Sequence, residues 1–171
     1  MPRAIFIHDM SRYLHPSSLE LVELADAEEM AAYLRAPYPG GRYVESFATA
    51  GPFGRLVFWF SSWPGPIPRD VNRPATELLV SAANFRPRTV PLLRGQVVLA
   101  AHAGDGGLVG VTDDQIQAIA VHANRWRTPI TLEWRYSAAA RAQRRRRKAA
   151  QAGRERHLRD RLAVRGRGRA G

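Results

Sequence analysis

Apolar and polar positions change period several times along the 171 residues, and each change marks an element. Residues 4–8 form a short apolar run that reads as a buried strand. Leu19, Leu21, Val22 and Leu24 fit either a strand or the lead-in to a helix. Asp26-Ala27-Glu28-Glu29 predicts a helix start, because Asp26 can accept from the free amides of the first turn and Glu29 stands three residues on, able to bond back. Met30, Tyr33 and Leu34 then share one face, and Pro37, Pro39, Gly40 and Gly41 end that helix in a loop. Residues 42–50 and 55–61 read as two strands around a turn at Gly51-Pro52-Phe53-Gly54. The second holds Leu56-Val57-Phe58-Trp59-Phe60, apolar on both faces, which predicts a central strand covered on both sides.

Three prolines keep residues 63–68 out of helix and sheet interior, so an ordered loop is expected there. Asn72 or Arg73 then caps a helix with Pro74 in its first turn, and Ala75, Leu78, Leu79 and Ala82 repeat at helical spacing. Pro87 and Pro91 bound a loop. Residues 96–101 form a strand, 103–107 turn the chain, and 108–111 return as its hairpin partner. Thr112-Asp113-Asp114-Gln115 is a second capping box, opening a helix whose apolar stripe is Ile116, Ile119, Ala120 and Ala123. Thr128-Pro129 turns once more. Ile130, Leu132, Trp134 and Tyr136 alternate with Thr131, Glu133 and Arg135, the pattern of a half-buried strand. From Ser137 onward alanine and arginine favour helix, Gly153 weakens it, and residues 165–171 are expected to be disordered. The reading is an α+β domain over residues 1–137, with a small mixed or antiparallel sheet and three packed helices. A basic tail, first helical and then disordered, follows over 138–171.

Charge sharpens that division. Residues 1–140 hold 13 basic and 13 acidic residues; residues 141–171 hold 13 basic residues against Glu155 and Asp160. The whole formal excess of +11 therefore lies in the last 31 residues. Such segregation marks a tail for nucleic acid or another polyanion. The candidate binding residues are Arg141, Arg144, Arg145, Arg146, Arg147, Lys148, Arg154, Arg156, Arg159, Arg161, Arg165, Arg167 and Arg169. Each phosphate they neutralise releases counterions, and arginine also forks onto phosphate oxygens and stacks on bases. The plainer reading is a solvated solubility tail, and a G+C-rich gene accounts for arginine over lysine. An anionic membrane surface is the weaker partner, since only Leu158, Leu162 and Val164 could insert.

The remaining chemistry is sparse. There is no cysteine, which excludes a disulfide framework, a thiolate zinc site and a cysteine nucleophile. The five histidines, at 8, 15, 102, 122 and 157, show no metal-ligand spacing, so no metal, cofactor or catalytic residue is expected. His8 at a strand end is the best placed of them for acid–base work, with His102 similar; both read more simply as surface turns. Gly104-Asp105-Gly106-Gly107 lacks the Gly-Lys-Ser/Thr ending of a phosphate loop and reads as a hairpin turn. Trp59 and Trp134 lie in strand patterns and are expected in the core. Trp63 and Trp126, near loops with arginines close by, could stack on a ligand or a partner. No signal peptide or apolar run of membrane-spanning length is present, and a cytoplasmic protein is expected.

Three stretches carry a resemblance: 70–79 (with Asn72-Arg73-Pro74-Ala75), 93–99 (with Gly95-Gln96-Val97-Val98-Leu99) and 106–116 (with Val111-Thr112-Asp113-Asp114-Gln115-Ile116). Together they resemble a small domain family of phages, plasmids and actinobacterial mobile elements whose function is unknown. That family shows an Asn-Arg-x-Ala helix start, a Gly-x-Val-Val-Leu strand, a glycine turn and a Leu-Thr-Asp-x-Gln-Ile helix start; here Val111 replaces the leucine. The match covers about residues 55–120, and its motifs are caps and turns. It implies a small α+β fold and a mobile-element setting, and carries no catalytic residue. The function expected is a non-enzymatic accessory protein that binds DNA or RNA through its tail, so that deleting 141–171 abolishes binding and leaves the fold intact. The alternative is a protein-interaction module, such as an inhibitor of a host nuclease or restriction system, working through the proline-rich loop 63–74. Nothing in the sequence fixes an oligomeric state.

Overall fold

A computed structural model describes residues 2–9, 12–35, 43–62, 69–102 and 108–167. The chain runs β1 (Arg3–Ile7), a 3₁₀ turn (Pro16–Ser18), β2 (Leu19–Glu23), α1 (Ala27–Arg35), β3 (Tyr43–Gly51), β4 (Gly54–Ser62), α2 (Arg73–Ala82), β5 (Val97–His102), β6 (Leu108–Val109), α3 (Asp113–Arg125) and α4 (Ile130–Arg167). Five strands lie in the order β2-β1-β5-β4-β3, and the short β6 pairs with β5. Every pairing is antiparallel. The fold is α+β, and the ambiguous stretch around Leu19 is an edge strand.

Alternation along the strands divides the core in two. Ile5, Ile7, Leu56, Phe58, Val97 and Leu99 face one side, where α2, α3 and the start of α4 cover them with Leu78, Leu79, Ile119, Leu132 and Tyr136. Ala4, Phe6, Val98 and Ala100 face the other, covered by Met30 and Leu34 of α1, with Trp59 at the margin. Strands covered on both faces carry unbroken apolar runs, which is why β1, β4 and β5 read as they do.

The caps work as the residues suggest. Asp26 accepts from the Glu29 amide at 2.8 Å, and the Glu29 carboxylate reaches back to the Ala25 amide. Thr112 and Gln115 bond reciprocally at 3.2 and 3.0 Å, and Gln115 also donates to the Phe53 carbonyl in the β3–β4 turn. Asn72 does more than cap. Its oxygen accepts from the Ala75 amide at 3.0 Å while its amide donates to the carbonyls of Ile7 and Gly95 at 2.9 and 2.8 Å. A fully buried polar side chain thereby satisfies itself and fixes α2 against β1 and the approach to β5.

The β3–β4 hairpin lies close under the end of α2. A Cβ on Gly51 would stand 2.0 Å from the Ala82 carbonyl oxygen, an impossible contact. Gly51→Ala is therefore expected to lower the unfolding free energy by about 3 kcal/mol, read by chemical denaturation.

One element differs in kind from its sequence pattern. Residues 130–136 are the first two turns of α4 and not a strand. The Pro129 carbonyl accepts from the amides of Leu132 and Glu133 at 2.9 and 3.1 Å, which starts the helix. Leu132 and Tyr136, four residues apart, are the buried pair, and Gln143 continues their stripe. Trp134 lies on the opposite face, 72% exposed, and is not part of the core. The helix continues unbroken through Gly153 to Arg167, into the stretch expected to be disordered; residues 168–171 lie outside the described chain.

Candidate nucleic-acid interface

The basic segment is the continuation of a core helix. Its inner face anchors it. Arg135 donates to the carbonyls of Pro87 and Val90 at 2.8 and 2.7 Å. Arg73 meets Glu133 at 3.4 Å and lies over the Tyr136 ring, 4.7 Å from its centroid. Burial raises the Tyr136 hydroxyl above the ordinary tyrosine range, so it stays protonated as it donates to the Arg73 carbonyl. Gln143 is only 5% exposed. Arg147 reaches Asp70 at 3.2 Å. The helix is thus held to the domain as far as Arg147, ten residues past the boundary drawn from sequence. Deleting 141–171 would remove Gln143 and Arg147 and disturb this packing. A truncation that spares this packing begins after Lys148 and removes only seven of the thirteen cations, so the arginine run itself is tested by substitution.

The arginine run divides by partner. All six cations from Arg141 to Lys148 are exposed; Arg147 pairs with Asp70, whereas Arg141, Arg144, Arg145, Arg146 and Lys148 form no ion pair among the described residues. Arg146 comes near Arg94, whose guanidinium is lowered from its usual range by burial first and then by this like charge. Arg154, Arg156 and Arg159 are exposed on the following turns. The helix also carries Arg161, Arg165 and Arg167, while Arg169 lies outside the described residues. Like charges crowded on one exposed surface repel each other, and a polyanion relieves that repulsion.

The other candidates fall elsewhere. Trp126 ends α3, half-buried, its ring 5.1 Å from that of His122. It also lines a cleft of about 470 Å³ with Tyr13, His15 and Arg127. Trp63, residues 63–68 of the proline-rich loop and the glycine turn 103–107 lie outside the described residues. The other end of the proline-rich loop is packed: Val71 bridges to Arg94, and Asn72 and Pro74 are buried. His8 pairs with Glu20 at 2.9 Å across the β1–β2 edge. His15 caps the 3₁₀ turn by accepting from the Ser17 amide. Burial lowers the pKa of His122, which packs edge-on to Phe53. Among the described residues no three His, Asp or Glu side chains gather in a metal-binding group, and no helix is long and apolar enough to cross a membrane.

One polar centre is absent from the sequence reading. Glu77 of α2 is fully buried; one oxygen accepts from the Leu14 amide at 2.9 Å and the other from the Thr128 hydroxyl at 2.8 Å. Burial raises its carboxyl above the ordinary range, and these two hydrogen bonds oppose the rise. With both oxygens occupied, Glu77 ties the chain before β2 and the α3–α4 turn to α2. Comparison of the chain with known proteins finds no matching family model, no matching curated protein and no matching solved structure.

Proposed function

We propose that this is a non-enzymatic, cytoplasmic accessory protein that binds DNA or RNA with little sequence preference through the exposed faces of α4. The resemblance over residues 55–120 suggests a phage or other mobile element as its setting. One observation carries the binding assignment: nearly all of the chain's charge excess lies on one helix anchored to a neutral domain, and of the exposed cations from Arg141 to Arg159 only Arg147 meets a carboxylate among the described residues. Solubility alone does not require such segregation, because charges spread along the chain serve it equally. The anchored helix presents the arginines as a fixed array, where a free tail would present them as a cloud.

The test is binding of duplex DNA and of RNA by the full chain as salt is varied. Affinity is expected to fall log-linearly with salt, with a slope of roughly −0.7 to −0.9 per phosphate neutralised. Affinity unchanged by salt would sink the proposal.

A further inference from the structure

The outer face of the first turns of α4 is apolar. Trp134 is 72% exposed, and Ile130, one turn before it on the same face, is 70% exposed. Trp134 borders a groove of about 820 Å³ whose other lining includes Arg88, Arg135, Ala138 and Arg141 and, among the described residues, no carboxylate. Arg135 is committed to the carbonyls of Pro87 and Val90, and so holds the loop bearing Arg88 against the helix. Arg88 and Arg141 are exposed and make no ion pair among the described residues. The groove therefore combines an open indole face with two uncommitted guanidinium groups.

Helical spacing extends this arrangement. Arg141, Arg145 and Lys148 follow Trp134 by 7, 11 and 14 residues, close to whole turns, so all four share one face of α4. That face lies opposite the stripe of Leu132, Tyr136 and Gln143 that meets the domain. The aromatic groove opens directly onto a row of exposed cations.

We propose that this groove is a site for single-stranded nucleic acid, in which one base stacks on Trp134, the flanking phosphates meet Arg88 and Arg141, and the strand continues along Arg145 and Lys148. The proposal rests on the reading of α4 as a nucleic-acid-binding helix and adds what charge alone does not supply. Cations hold single and double strands alike. An exposed aromatic face favours the strand with unstacked bases, because every base offers a π-face to stack. The cationic rim argues against a neutral protein partner, and insertion into lipid would rest on Ile130 and Trp134 alone.

The test uses the full chain with three labelled probes: an oligothymidylate, an abasic oligonucleotide of the same length, and a duplex of that length. The unsubstituted chain is expected to prefer the oligothymidylate over the abasic strand by about tenfold. Trp134→Ala should abolish that preference, leaving abasic and duplex binding and their salt slopes unchanged, while Trp134→Phe retains most of it. Arg88→Gln and Arg141→Gln should weaken both single strands and flatten their salt dependence. Because Trp134 lies in solvent, its variants should melt with the parent. Oligothymidylate binding undiminished by Trp134→Ala would overturn the proposal and leave the patch to a protein partner; so would an equal loss for all three probes. Salt-dependent duplex binding with no preference for bases would overturn it while keeping the reading of α4. Absence of all binding would overturn both.

Discussion

Replacing Arg144, Arg145, Arg146 and Lys148 together by glutamine lowers nucleic-acid affinity by about a thousandfold at roughly 0.1 M salt, and flattens the log–log salt slope by about 3. Each of these side chains is exposed and none joins an ion pair among the described residues, so their cations are available to phosphate. Glutamine keeps a long polar side chain and good helix propensity, and so preserves α4. Arg147 is left in place because its contact with Asp70 belongs to the docking of the helix. The measurement is fluorescence anisotropy across a salt series, beside a melting curve. An unchanged slope in a variant that melts with the parent would remove α4 from the interface.

Glu77→Ala is expected to destabilise the domain by about 3 kcal/mol, because it strands the buried Leu14 amide and opens a cavity beneath Thr128. Glu77→Gln behaves differently. Its amide oxygen can accept from Leu14, its amide nitrogen can donate to the Thr128 hydroxyl, and no charge remains to be desolvated. The pH dependence separates the two roles. The folded carboxyl is raised above its unfolded value, so the native state holds the proton more tightly. This contribution to stability is fully present below the unfolded pKa and is lost as pH rises through the folded one. Urea unfolding of the parent should therefore show stability falling with pH above the ordinary glutamate range, and Glu77→Gln should remove that fall. A parent and a Gln variant with the same pH profile would show that the burial cost is offset elsewhere.

The sheet and three helices were legible because their signals are local. A cap needs two side chains three residues apart, as at Asp26 and Glu29 or Thr112 and Gln115. The run from Leu56 to Phe60 announces a strand covered on both sides by its composition. The start of α4 was misread because Ile130, Leu132, Trp134 and Tyr136 satisfy a period of two, while Leu132 and Tyr136 also satisfy a period of four. The continuation decides between them: the stripe resumes at Gln143, and the alanine-rich sequence past Ser137 favours helix. Carrying that helical phase back to Pro129 would have placed Trp134 on the outside. The candidate site was legible as a count of charges and not as a surface. Which arginines are free depends on Asp70, 77 residues from Arg147, and Arg88 joins Trp134 only through the fold. Glu77 was hidden for the same reason, since its partners lie 63 and 51 residues away.

The anchoring of α4 has a consequence for encounter as well as for contact. Residues 148–167 extend about 30 Å beyond the docked part of the helix. With a net-neutral domain against its first turns and nearly all of the positive excess strung along residues 141–167, the molecule carries a large permanent electric dipole along this helix. In the field of a polyanion it experiences a torque before it touches, and it arrives helix first. Salt should therefore slow its association by shortening the range over which it is turned.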